Sequence, residues 1–190
     1  MDILIITGPP YSGKGTQCGE LVKALGYKHV STGDRCREEK KAETQFGKMM
    51  AEYEEKGDYV PDQMMKNLLS QILDENRDEK GIILDGYPRT IPQMDDLLSL
   101  TEEKGMKISK VLNIEVPEDI LLQRALKRAA ISTREDDKDP QVHIKRIRIF
   151  QELTVPAIAY MKTRLNVDDF SGTGEIENIS KALLASIADL

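Results

Sequence analysis

The stretch Gly8-Pro9-Pro10-Tyr11-Ser12-Gly13-Lys14-Gly15-Thr16 constrains this chain more than any other. It follows the apolar run Ile3-Leu4-Ile5-Ile6 and opens an amphipathic segment ending at Leu25-Gly26. A buried strand that delivers the chain to a glycine-punctuated turn at a helix N-terminus points backbone N–H groups inward, where they attract anions. The pattern reads as a phosphate-binding loop built on Gly13 and Gly15, with Lys14 able to reach β- and γ-phosphates and Thr16 offering a hydroxyl to magnesium. The bland alternative is an ordinary glycine-rich strand-to-helix turn. Against it, Leu21, Val22 and Leu25 recur behind the loop at helical spacing.

A chain of 190 residues is long enough for one sizeable core. Its alternating strand-like and helix-like segments predict a single α/β domain with attached flaps. No basic-apolar leader opens the sequence and no apolar run approaches the length that spans a bilayer, so a soluble, cytoplasmic protein without membrane partners is expected. The only cysteines are Cys18 and Cys36, in the company of His29 and His143. Neither a disulfide framework nor a zinc-binding cluster is expected from them; both thiols read as packing residues and His29 as a plain strand residue. The net charge of −6 argues against a nucleic-acid partner, and the absence of tryptophan, with few other aromatics, gives no stacking platform. Any phosphate must then be met by local cations.

Such cations are unevenly placed, with Arg124, Arg128, Arg134, Arg146 and Arg148 in one part of the chain. By themselves they fit a solvated helix face paired with Glu135, Asp136, Asp137 and Asp139 as well as they fit a phosphate site. Along the chain, strands are predicted at Ile3–Ile6, Tyr27–Val30, Gly81–Asp85, Val111–Ile114 and Arg164–Val167. Helices are predicted behind the loop, after Thr32, over Phe46–Tyr53, and from Pro61, Thr90, Pro117 and Ile176. A long helix through Ile147, Phe150 and Leu153 is expected to kink at Pro156. Asp85 stands at a strand's C-terminal end, where parallel sheets place their ligands. The charged, weakly apolar stretches near 31–60 and 128–140 are the candidate flaps.

Four stretches occur in order: Gly8 to Gln17, Ser31-Thr32-Gly33-Asp34 with Arg37, Leu84-Asp85-Gly86-Tyr87-Pro88-Arg89, and Arg134-Glu135-Asp136-Asp137 with Arg146. Together they resemble the adenylate kinase family, in a form with a short lid lacking cysteines. The resemblance implies a P-loop NTPase-like five-stranded parallel sheet flanked by helices. Residues 1–30, 61–127 and 141–190 would form the core, 31–60 a helical flap for the nucleoside monophosphate, and 128–140 a short lid. It implies magnesium-dependent transfer between ATP and AMP, giving ADP, with no structural zinc. Lys14, Arg89, Arg128, Arg134 and Arg146 would act on the transferring phosphate. Gly13, Lys14, Gly15, Thr16, Arg124, Arg134 and Gly174 would bind ATP; Thr32, Arg37, Val60, Gly86, Arg89 and Gln93 would bind AMP. Thr16 and, through water, Asp85 would hold the metal, while Asp136 and Asp137 match the carboxylates that order the closed lid.

Tyr11 stands where the family pattern has glycine, which predicts a crowded loop or a costly backbone angle. Arg35 and Cys36 replace an apolar pair beside the acceptor base. The competing readings are a UMP/CMP-type kinase, whose relatives carry asparagine where Gln93 stands, and a non-catalytic ATP-binding sensor. A monomer is expected, since no apolar stripe remains beyond those the core needs.

Overall fold

Five strands, β1 (Asp2–Thr7), β2 (Lys28–Ser31), β3 (Gly81–Asp85), β4 (Lys107–Glu115) and β5 (Val167–Ser171), form one sheet in the spatial order β2-β3-β1-β4-β5. Every neighbouring pair is parallel. The computed structural model describes residues 1–132 and 139–189. Parallel strands need long crossovers, and helices supply them. These are α1 (Lys14–Leu25), α2 (Thr32–Lys41), α3 (Gln45–Glu55), α4 (Asp62–Glu75), α5 (Ile91–Glu103), α6 (Glu118–Ala129), α7 (Pro140–Ile149), α8 (Val155–Lys162) and α9 (Ile176–Ser186).

Period-two alternation sorts the strand residues into two layers. Ile3, Ile5, Ile82, Leu84 and Val111 face a cluster completed by Leu69 of α4, Leu97 of α5 and Met161 of α8. Leu4, Ile6, Ile83, Leu112 and Ile114 face the other side, with Cys18 and Leu21 of α1 and Leu183 of α9. Covering on both faces is why the central strands read as unbroken apolar runs: Ile3 to Ile6 and Ile82 to Leu84 are all 0% exposed. Strand order reverses beside β1. The chain leaves β1 toward β2 on one side and leaves β3 toward β4 on the other, which opens a crevice at the strands' C-terminal ends.

The structure shifts some boundaries. The fifth strand begins at Val167, not Arg164, because the N–H groups of Arg164 and Leu165 both bond to the Met161 carbonyl, at 2.9 and 2.8 Å, and close the last turn of α8. Its polar Asp168 and Asp169 sit on an edge strand, so no apolar run marks it. The helix expected to kink at Pro156 is divided earlier, by a π-helical turn over Phe150–Thr154. Pro156 falls in the first turn of α8, directly after the π-helical turn, so its missing N–H comes where the helical bonding changes register.

Within 31–60, α2 and α3 pack so closely that a Cβ on Gly47 would lie 2.1 Å from the Glu39 carbonyl oxygen. Of the apolar seam on α3, Met50 is fully buried, whereas Met49 is 52% exposed. Met50 and Cys36 join the same apolar cluster as the sheet. No helix among the described residues is long and apolar enough to cross a membrane.

Candidate active site

Where β1 ends, Gly8 turns the chain beneath β4 with φ 143°, and a Cβ there would fall 2.4 Å from the Ile114 carbonyl oxygen. Only glycine fits. Gly13 caps α1 in the left-handed region, and Tyr11 shares that region with φ 67°, a conformation costing a non-glycine residue about 1–2 kcal/mol. The costly backbone angle expected at Tyr11 is therefore present. Contacts of its side chain offset the strain: the hydroxyl lies 2.5 Å from His143 Nδ1 and the ring meets the imidazole edge-on. The Arg128 guanidinium lies 5.8 Å from the ring centroid. Tyr11 thus ties the loop to both α6 and α7.

Lys14 folds back over the loop, its Nζ donating to the Gly8 and Pro9 carbonyls at 2.8 Å each and to Ser12 Oγ at 3.4 Å. Part of the residue still faces the cleft. Burial of the ammonium holds its pKa below the ordinary lysine value; Arg89 and Arg128 lower it further, while the Asp85 carboxylate opposes them. Thr16 is exposed on the first turn of α1. Asp85 ends β3, with His29 Nε2 at 3.3 Å from its Oδ2.

Above the loop lies a cleft of ≈ 620 Å³ lined by Lys14, Arg37, Arg89, Arg124, Arg128 and Arg146, drawn from α1, α2, the β3–α5 connection, α6 and α7. Arg124 acts as a clamp. It donates to the Ser12 carbonyl at 3.2 Å and to the Gly172 carbonyl at 2.8 Å, joining the loop to the turn after β5. That turn needs its glycine, since a Cβ on Gly172 would lie 2.5 Å from Val116 Cγ2. Gly174 follows with φ 121°.

On the cleft's other side, Arg89 Nε donates to the Gly86 carbonyl at 2.6 Å and its guanidinium lies 5.1 Å from the Tyr59 ring centroid. Gln93 holds this corner together: Oε1 accepts from Arg89 N at 2.8 Å and Nε2 donates to Asp62 Oδ1 at 2.8 Å. Thr154 Oγ1, from the π-helical turn, donates to the Arg89 carbonyl at 2.9 Å and also meets the Tyr59 hydroxyl. Thr32 is buried and donates to the Gly86 carbonyl at 3.1 Å. Arg37 pairs with Asp34. Burial works to raise the Asp34 pKa, but the Arg37 hydrogen bond and charge outweigh it and the net shift is downward.

Against this geometry, a sequence model of the adenylate kinase family matches residues 6–166. The chain belongs to the adenylate kinase family. It is similar to the adenylate kinase of Parabacteroides distasonis, 40% identical over 176 residues that cover 93% of this chain and 92% of that protein. The adenylate kinase of Bacteroides fragilis is 37% identical over 187 residues, 98% of each chain. That of Corynebacterium urealyticum is 38% identical over 185 residues, covering 97% of this chain and 98% of its own.

As an adenylate kinase family member, the chain brings to one cleft the expected Gly13, Lys14, Gly15, Thr16, Thr32, Arg37, Val60, Asp85, Gly86, Arg89, Gln93, Arg124, Arg128 and Arg146. Gly174 sits just beyond, in the turn that Arg124 clamps. Arg134, Asp136 and Asp137 lie outside the described residues. Arg35 turns away from the cleft to pair with Glu75 at 2.9 Å, whereas Cys36 lines it. Arg148 pairs with Glu152 at the surface, as its lack of an assigned role suggests. Sequence reasoning missed Tyr59, His143 and Thr154. For Thr154, the available hint was a buried-type polar residue shortly before a proline in a helical stretch; for His143 and Tyr59 there was none, because their partners are distant in the chain.

Proposed function

We propose that this adenylate kinase family member transfers the γ-phosphoryl group of ATP to AMP, reversibly, giving two ADP. The observation that carries the reading is the convergence of Lys14 and five arginines on one cleft whose floor is the phosphate-binding loop. Phosphoryl transfer spreads negative charge over equatorial and bridging oxygens, so positioned cations are the equipment it requires. AMP carries an already ionised phosphate, so no general base is needed.

In this reading Gly13, Lys14, Gly15 and Thr16 hold the ATP phosphates, and Arg124 keeps the loop and the Gly174 turn in register. Arg37 and Arg89 hold the AMP phosphate, with Arg128, Arg134 and Arg146 around the group in flight. Thr32, Val60, Gly86 and Gln93 frame the acceptor base. Gln93 keeps an N–H beyond the one given to Asp62, and that donor suits a purine acceptor. Residues 31–60 act as the acceptor flap and 128–140 as the short lid, closing to exclude water from the donor.

Magnesium fits the donor chemistry of Thr16 and Asp85, both oxygen ligands. When bound, the ion neutralises charge on the β- and γ-phosphates; Thr16 would hold it directly and Asp85 through water. The protein acts as a monomer in the cytoplasm, with ATP, AMP and ADP as its partners and neither nucleic acid nor membrane among them.

The test is product formation from Mg-ATP with each of AMP, GMP, CMP and UMP. ADP formation with AMP as the preferred acceptor is expected, and Lys14→Ala should lower the rate about a hundredfold or more. Preference for CMP or UMP would overturn the base assignment. Tight ATP binding without transfer to any acceptor would make the protein a sensor.

A further inference from the structure

Cys18, His29 and Asp85 come from α1, β2 and β3, yet their ligand-type atoms all lie within 4.8 Å of one another. Strand register explains the meeting. His29 stands opposite Ile83, and Asp85, two residues further along β3, shares that face of the sheet. Helix α1 covers the face, with Cys18 fully buried in the cluster that contains Ile83. The phosphoryl-transfer reading uses neither Cys18 nor His29.

We propose that Cys18 Sγ, the His29 imidazole and the Asp85 carboxylate bind a borderline divalent transition-metal ion, of which zinc and cobalt(II) are the representatives. A thiolate, an imidazole and a carboxylate together suit such ions, whereas magnesium takes oxygen alone. Bond lengths of about 2.0–2.3 Å around a tetrahedral ion set the donor atoms roughly 3.5 Å apart. His29 Nε2 and Asp85 Oδ2 are already 3.3 Å apart, so Sγ has the distance to close. The His29 side chain is 30% exposed and free to adjust, and Asp85 borders the cleft, which provides the route in. On binding, the Cys18 S–H bond breaks, the S–metal bond forms and the proton passes to solvent. Three protein ligands leave a fourth position for water.

A consequence rests on the function proposed above. Asp85 is the acid assigned to the magnesium ion's water, so a metal held with Cys18 and His29 removes that acid from catalysis and slows transfer.

The test is titration of the metal-free full-length protein with cobalt(II). One equivalent should produce four-coordinate visible bands and a near-ultraviolet thiolate-to-cobalt band, both erased by zinc. Cys18→Ser should abolish the thiolate band, His29→Asn should weaken affinity by roughly tenfold or more, and Cys36→Ser should change nothing. Absence of the thiolate band, or its persistence in Cys18→Ser, would overturn the site. If Cys18→Ser fails to fold, unchanged cobalt affinity in His29→Asn overturns it instead. Preloading with one equivalent of zinc should slow the wild-type reaction and spare His29→Asn. An undiminished wild-type rate with the cobalt spectrum intact would refute the link to Asp85 alone. Inactivity before any zinc is added would count against the proposed function and leave the cobalt result to judge the site.

Discussion

Lys14 illustrates how function opposes comfort at the residue scale. Its ammonium is enclosed beside two arginines, which lowers its pKa, and Asp85, with a smaller contribution from Cys18, works the other way. Bound polyphosphate adds negative charge at that spot and must raise the pKa again. The alkaline limb of kcat/KM, which reports the free enzyme, should therefore fall at lower pH than the alkaline limb of kcat, which reports the complex. Activity is lost as pH rises through each value, because the protonated amine is the working form. Coincident limbs in rate profiles measured with and without saturating ATP would refute this assignment. Tyr11 is the second such residue: its left-handed backbone is an expense that the His143 and Arg128 contacts offset.

Among the elements, the α2–α3 pair shows how little separates the proposed acceptor flap from the core. Gly47 lets the two helices touch, and Met50 carries α3 into the apolar cluster beneath the sheet. Gly47→Ala would drive a methyl group into the Glu39 carbonyl, an overpacking penalty of about 1–3 kcal/mol. Thermal unfolding should report that loss, and KM for AMP should rise more than KM for ATP, because Arg37 and Thr32 both ride on α2. An equal rise for both nucleotides would refute the assignment of 31–60 to the acceptor. The π-helical turn at Phe150–Thr154 serves a comparable end. By aiming Thr154 at the Arg89 carbonyl and the Tyr59 hydroxyl, it anchors the β3–α5 connection from the opposite side of the cleft.

For the whole molecule, the contrast is between a net charge of −6 and a cleft whose wall carries Lys14 and five arginines. Scattered acids keep the surface negative, while the strand reversal beside β1 gathers distant cations at one edge. Closure of 31–60 over both nucleotides should shorten the distance between fluorophores placed by Glu52→Cys and Lys127→Cys, positions exposed on α3 and α6. The native thiols Cys18 and Cys36 are buried but Cys36 lines the cleft, so both are replaced by serine in the labelled protein. A two-substrate analogue that left this distance unchanged would refute closure of that segment.

The central strands, the loop and most helix starts were legible in the chain itself, because each rests on local signals. Apolar runs mark strands covered on both faces, glycine and lysine spacing marks the loop, and Thr90 and Pro117 stand at helix starts. The edge strand β5 was misplaced because half-exposed residues there carry no apolar run, and the π-helical turn was hidden because Pro156 suggested a simpler break. The family and the cleft's main cations could be read from ordered motifs, residue by residue. Their convergence could not. Arg124 clamping Gly172, Gln93 reaching Asp62, Tyr11 meeting His143, and Cys18 lying beside His29 and Asp85 all join residues far apart in sequence. Local sequence determined the elements and the chemistry they carry; strand order and register alone decided which of those groups would meet, because contacts across elements depend on packing that no single stretch encodes.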